Sequence, residues 1–86
     1  MERYTQRDET GTAKLCEGVP MSEALERLAK LEDFCQNLKQ EQEELKEKLG
    51  EMRAKNQTKS YQFRELMSKK LLGNEMLIAL KYAGLE

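Results

Sequence analysis

The chain has 86 residues, of which 38% are hydrophobic and 36% are charged, and its formal net charge is −1. A mean hydropathy of −0.85 argues against a large monomeric core, and the length predicts one small domain. No apolar run approaches the length that spans a bilayer, which excludes a membrane partner. The polar opening, residues 1–11, does not resemble a signal peptide, so we expect a cytoplasmic protein.

Residues 1–20 predict an N-terminal β-hairpin followed by a connector. Asp8 and Gly11 are turn residues between two short segments that favour strands, and Gly11 is free to take a positive φ. An isolated hairpin is marginal in water. We therefore expect this one to dock on another element or to remain mobile.

Residues 21–56 predict one long coiled-coil-like helix. Ser22 is a suitable N-cap, and Glu23 complements the positive end of the helix dipole. Apolar residues then recur every seven positions in two interleaved rows, which together form one stripe. The predicted dimer seam consists of Leu28, Leu31, Cys35, Leu38, Gln42, Leu45, Leu49 and Met52.

Two different coverings explain this stripe. A second copy of the chain would cover it in a homodimer, in which the flanking charges leave parallel and antiparallel pairing open. Alternatively, the C-terminal helices of the same chain would pack on it. Gln42 is polar among leucines, and it would limit register slips if it finds a hydrogen-bond partner.

Residues 57–86 predict a strand-like segment followed by two short helices. Tyr61 and Phe63 alternate with polar residues, Gly73 is expected to end the first helix, and Gly84 is expected to end the second. The second helix is apolar on almost all sides, which indicates a dimer core or a partner-binding surface. The residues expected to form this core or surface are Met76, Leu77, Ile78, Leu80 and Tyr82. The expected fold class is mainly α, with an N-terminal β-hairpin, one long coiled-coil-like helix and a short C-terminal helical hairpin.

The residues provide no pattern typical of a catalytic or metal site. The chain has no histidine, its serines therefore have no histidine base, and its glycines stand singly rather than in a phosphate-binding loop. Cys16 and Cys35 lack the spacing of a zinc site, and Cys35 is expected to pack as a small hydrophobe. We therefore expect a non-enzymatic protein with no cofactor and no metal.

The charge distribution supports an alternative, a small DNA-binding regulator. Residues 1–52 hold 8 basic and 13 acidic residues, giving −5, whereas residues 53–86 hold 7 basic and 3 acidic, giving +4. Residues 66–85 have the outline of a helix-turn-helix, although the second helix offers few polar side chains for base edges. The possible nucleic-acid contacts are Arg53, Lys55, Lys59, Arg64, Lys69 and Lys70.

Both ends of the chain are similar to a known group of proteins. The segments are MERYTQRDETGTA at 1–13, ALERLA at 24–29, LED at 31–33 and TKSYQFREL at 58–66. They resemble segments of small uncharacterised phage and prophage proteins of Gram-positive bacteria. Proteins of this group often carry more cysteines in the region of Cys16. The resemblance implies a phage accessory protein in the bacterial cytoplasm, with a host or phage protein as its partner. An anti-defence inhibitor, such as an anti-CRISPR, is a sub-case that no residue selects.

Overall fold

The computed structural model describes residues 1–85, so the last residue of the predicted C-terminal segment lies outside this range. Its elements in chain order are β1 (Thr5–Arg7), β2 (Ala13–Leu15), α1 (Met21–Ala54) and α2 (Tyr61–Tyr82). The protein is mainly helical, with a short N-terminal β-hairpin and a helical hairpin formed by α1 and α2, which confirms the predicted fold class. The chain divides into two compact units, residues 1–33 and the part from Phe34 onward.

The β-hairpin is antiparallel, with Arg7 opposite Ala13 in its register. The carboxylate of Asp8 organises the turn, because its Oδ1 accepts the backbone N–H groups of Thr10 at 2.9 Å and Thr12 at 3.1 Å. Gly11 takes a φ of +83°, which is costly for any residue with a Cβ. The predicted turn residues are thus confirmed.

Helix α1 begins at Met21, one residue before the predicted cap. The carbonyl of Pro20 accepts the backbone N–H groups of Glu23 at 3.1 Å and Ala24 at 3.3 Å. Pro20 therefore occupies the N-cap position, where its missing N–H costs no helical hydrogen bond. Ser22 consequently lies inside the first turn, and its predicted capping role is corrected.

The end of α1 has the hydrogen bonds of a Schellman motif. Asn56 takes a φ of +57° and donates its backbone N–H to the carbonyl of Arg53. Gln57 donates to the carbonyl of Met52 at 2.8 Å. Asparagine tolerates the left-handed region better than most residues, which explains why the helix stops here without a glycine.

Helix α2 is one continuous helix, where the sequence predicted a strand-like segment and two short helices. The hydroxyl oxygen of Ser60 accepts the backbone N–H of Phe63 at 3.1 Å, so the helix begins at Tyr61 and no strand forms. Gly73 lies in the middle of α2, and no proline follows it to stop the helix. The helix ends as predicted, with Gly84 at a φ of +81°.

The core lies in the second unit, where Leu49 and Met52 of α1 pack with Phe63 of α2. Leu66 and Met67 pack against this cluster and are partly buried. Leu49 is essentially inaccessible, at 1% exposure. A core this small leaves much apolar surface of both helices uncovered.

Candidate functional site

The predicted dimer seam divides into a buried part and an exposed part. The residues buried along α1 are Cys35, Leu38, Gln42, Leu45, Leu49 and Met52. Helix α2 of the same chain contacts this part of the stripe, since Met52 packs with Phe63 and Leu38 lies beside Gly73. From Cys35 to Met52 the second predicted covering therefore applies, and these side chains are not free to form a seam with another chain.

In the first unit, the β-hairpin docks on the N-terminal part of α1 through polar contacts. The guanidinium of Arg27 lies 3.4 Å from the ring centroid of Tyr4, a cation–π contact, and its Nη1 donates to the carbonyl of Glu2 at 2.5 Å. Of the two expected outcomes, docking or mobility, these contacts correspond to docking. Leu28 and Leu31, the remaining predicted seam residues, are 50% and 37% exposed.

Gln42 and Gly73 form a closely fitted pair between α1 and α2. A Cβ added to Gly73 would overlap Nε2 of Gln42 and lie 3.5 Å from Cδ1 of Leu38. Gly73 therefore provides the space that the amide occupies, a role that sequence reasoning missed by treating this glycine as a helix end. Two features of the sequence could have indicated this role. No proline follows Gly73, and Gln42 is a polar residue within an otherwise apolar stripe.

The amide of Gln42 is not fully satisfied in a single chain. The side chain is 8% exposed, and its Oε1 has no hydrogen-bond partner among the residues that the structure describes. A buried acceptor without a donor costs about 1–3 kcal/mol.

An elongated apolar depression runs beside this pair, and we call it the α1–α2 groove. One part, of about 270 Å³, is lined by Phe34, Leu38, Gln42, Leu72, Gly73 and Met76. A second part, of about 280 Å³, shares Phe34 and Met76 and continues to Ala79, Leu80 and Ala83. Two side chains of opposite charge also line the first part, Glu41 and Lys69, and both are exposed.

The predicted partner residues of the C-terminal helix occupy two different environments. Met76 and Leu80 are partly buried and line the α1–α2 groove, and Leu77 is also partly buried. Ile78 and Tyr82, in contrast, are 53% and 89% exposed. This helix therefore has one side turned to the rest of the unit and another turned to solvent.

The basic residues do not form the predicted helix-turn-helix. Residues 66–85 contain no turn at Gly73, because Tyr61–Tyr82 is a single helix, so no separate recognition helix exists in the described chain. Arg53 lies 5.6 Å from the ring centroid of Phe63. The exposed members of the basic set are Arg53, Lys55, Lys59, Arg64 and Lys69, and Lys70 is partly buried.

Within residues 1–85, no group of three or more histidine, cysteine or carboxylate side chains is arranged to hold a metal ion. Cys16 is partly buried, Cys35 is buried, and both are free thiols. The hydroxyl of Thr10 and the backbone N–H of Thr12 hold the pKa of Asp8 below its ordinary value of 3.8. Neither described helix has the length and apolar character needed to cross a bilayer.

No protein-family model, curated protein or solved structure matches this chain.

Proposed function

We propose that this protein is a non-enzymatic phage or prophage accessory protein that acts in the bacterial cytoplasm by binding other proteins, and that it self-associates as a homodimer through its helices. The observation that carries this proposal is the amount of apolar surface that one chain leaves uncovered. The phage assignment is supported by the resemblance of the chain's two ends.

The exposed area exceeds what a folded monomer of this mass shows. The chain exposes 7254 Å² at a mass of 10.0 kDa. Monomeric proteins of this mass expose roughly 5,200 Å², so the excess is about 2,000 Å² for each chain. Two chains that bury this excess together would form an interface in the range of obligate dimers, about 2,000–5,000 Å² in total.

Large apolar side chains in both units contribute to this surface. Those with exposures between 48% and 60% include Leu25, Leu28, Phe34, Leu71, Leu72 and Ile78. Contiguous apolar surface on a soluble protein is typical of protein–protein binding sites. The proposed partners are therefore a second copy and a further protein of host or phage origin, with an anti-defence target as one sub-case.

Sedimentation equilibrium at increasing protein concentration tests the self-association. We expect the mass of two chains at micromolar concentration and above, and a single-chain mass throughout would contradict the proposal. Alanine substitutions at Leu38 and Leu45 are unsuitable probes, because both side chains are buried inside the chain and their loss would unfold it. Exposed positions are needed instead.

The alternative, a DNA-binding regulator, is supported by the exposed basic residues between Arg53 and Lys69. Filter binding to duplex DNA across a salt series separates the two functions. A protein that contacts six or more phosphates loses about 10³-fold in affinity between about 50 and 200 mM salt. Such a loss would favour the regulator, whereas no retained DNA at the lowest salt would favour protein binding.

A further inference from the structure

We infer that the occupant of the α1–α2 groove is the same groove of a second copy, so that two helical hairpins form a four-helix bundle with a two-fold axis parallel to the helices. This inference rests on the self-association proposed above and identifies its surface. It assigns the contact to the groove rather than to the predicted seam on α1.

The groove has the composition of an unfinished helix-bundle core. Its uncharged lining in the first part is Phe34, Leu38, Gln42, Leu72, Gly73 and Met76. Phe34 is 48% exposed and Leu72 is 60% exposed, although apolar side chains of this size are normally covered in a bundle. A second pair of helices laid over the groove would cover both side chains and the adjoining Met76.

The area favours a partner of about the size of this chain. The excess of about 2,000 Å² belongs to both units of the chain, and an interface that removed about half of it from each chain would still total roughly 2,000 Å², the size of a stable dimer interface. In a two-fold interface the same patch serves both subunits, so each contact occurs twice. Covering the groove by its own copy therefore removes excess area from both chains at once.

The charges specify how the two copies are oriented. Glu41 of α1 and Lys69 of α2 line the same part of the groove, and neither has an ion-pair partner among the described residues. An axis parallel to the helices places α1 of one protomer against α2 of its partner at the same height. Glu41 then meets Lys69 of the partner subunit twice in the dimer. An axis perpendicular to the helices would instead bring Glu41 toward its own copy, which is repulsive.

Substitution of Leu72 and Leu71 by glutamate tests the surface. These neighbours are 60% and 58% exposed and lie in the same helix, but only Leu72 lines the groove. We expect Leu72→Glu to raise the dimer dissociation constant by about 100-fold or more, because two leucines leave the interface. Leu71→Glu should change it less than about tenfold. Circular dichroism of both variants verifies that the helices remain.

Charge reversal tests the orientation without removing apolar contacts. Glu41→Lys alone and Lys69→Glu alone should each weaken the homodimer by about tenfold, because each places two like-charged pairs in the interface. A mixture of the two variants should dimerise at least as well as the wild type. In that heterodimer, both pairs have opposite charges. With a perpendicular axis, Glu41 already faces its own copy, so Glu41→Lys would exchange one repulsive pair for another and would not weaken the dimer.

The outcomes separate this inference from the proposed function. A wild-type chain that sediments as a monomer contradicts the proposed self-association and, with it, the inference. A wild-type dimer that Leu72→Glu and Leu71→Glu weaken equally leaves self-association intact and overturns the groove as its surface. A dimer that is sensitive to Leu72→Glu but is not weakened by Glu41→Lys or Lys69→Glu overturns the proposed two-fold axis.

Discussion

In the first unit, hydrogen bonds and a cation–π contact organise the chain. Asp8 holds the turn through two backbone N–H groups, and Arg27 holds the hairpin through the ring of Tyr4. In the second unit, apolar packing around Leu49 joins α1 to α2. The comparison shows that hydrogen bonds order the hairpin locally, whereas the contact between the two helices depends on buried apolar side chains.

The largest difference between the units should appear when one leucine of α1 is shortened. We expect Leu49→Ala to lower the free energy of unfolding by about 2–4 kcal/mol, because it leaves a cavity in the small core. Leu28→Ala is the matched control in the same helix, at 50% exposure, and should cost less than about 1 kcal/mol. Urea unfolding at one fixed protein concentration measures both, and equal losses would contradict the difference between the units.

The two glycines inside the helices should respond in opposite directions to alanine. A Cβ added to Gly50 would have no atom within 4 Å, so Gly50→Ala should stabilise the protein by up to about 1 kcal/mol through helix propensity. Gly73→Ala should destabilise it by about 1 kcal/mol despite the same propensity gain, because the new Cβ overlaps Gln42.

A double-mutant cycle isolates the contact responsible. In a Gln42→Ala background, Gly73→Ala should become stabilising, with a coupling of about 1 kcal/mol or more between the two positions. Thermal or urea unfolding of the four proteins provides the values. A Gly73→Ala effect that is identical in both backgrounds would show that Gln42 does not occupy the space at this glycine.

The smallest effect should be confined to the β-hairpin and should depend on pH. The pKa of Asp8 is lowered in the folded state, so its carboxylate stabilises the turn at neutral pH, and this stabilisation is lost as pH falls below about 4. The amide NMR signals of Thr10 and Thr12 should lose their dispersion over this range. Asp8→Asn should show the weakened turn already at pH 7, and signals unaffected by either change would contradict the role of the carboxylate.

Local signals in the sequence predicted the hairpin turn and the end of α2, but not the cap of α1. Asp8 and Gly11 are turn residues whose chemistry acts within a few residues, and Gly84 ends α2 as its type predicts. Gly73 was misinterpreted because a glycine has the same local signature at a helix end and at a close approach. Only the opposing Gln42, far away in the chain, distinguishes the two.

The seven-residue repeat alone could not determine which helix packs on the apolar stripe of α1. A seven-residue repeat reports that a helix face is buried, but it is the same whether the opposing helix belongs to the same chain or to another. The continuity of α2 decides the matter from Cys35 to Met52, since one helix of 22 residues reaches further along α1 than either predicted short helix. The sequence signal for the start of that helix was Ser60, since serine is a preferred N-cap residue and its hydroxyl can accept the backbone N–H of Phe63.

The space at Gly73 also fixes the alignment of the two helices along their length. If α2 slid by one turn, about 5.4 Å, a side chain of the preceding or following turn would replace the glycine opposite the amide. Lys69 and Leu77 are the residues that such a slide brings nearest, and both are too large for Gln42 to remain in place. The absence of a side chain at Gly73 therefore leaves room for the Gln42 amide at this axial position, and any other position requires the amide to move.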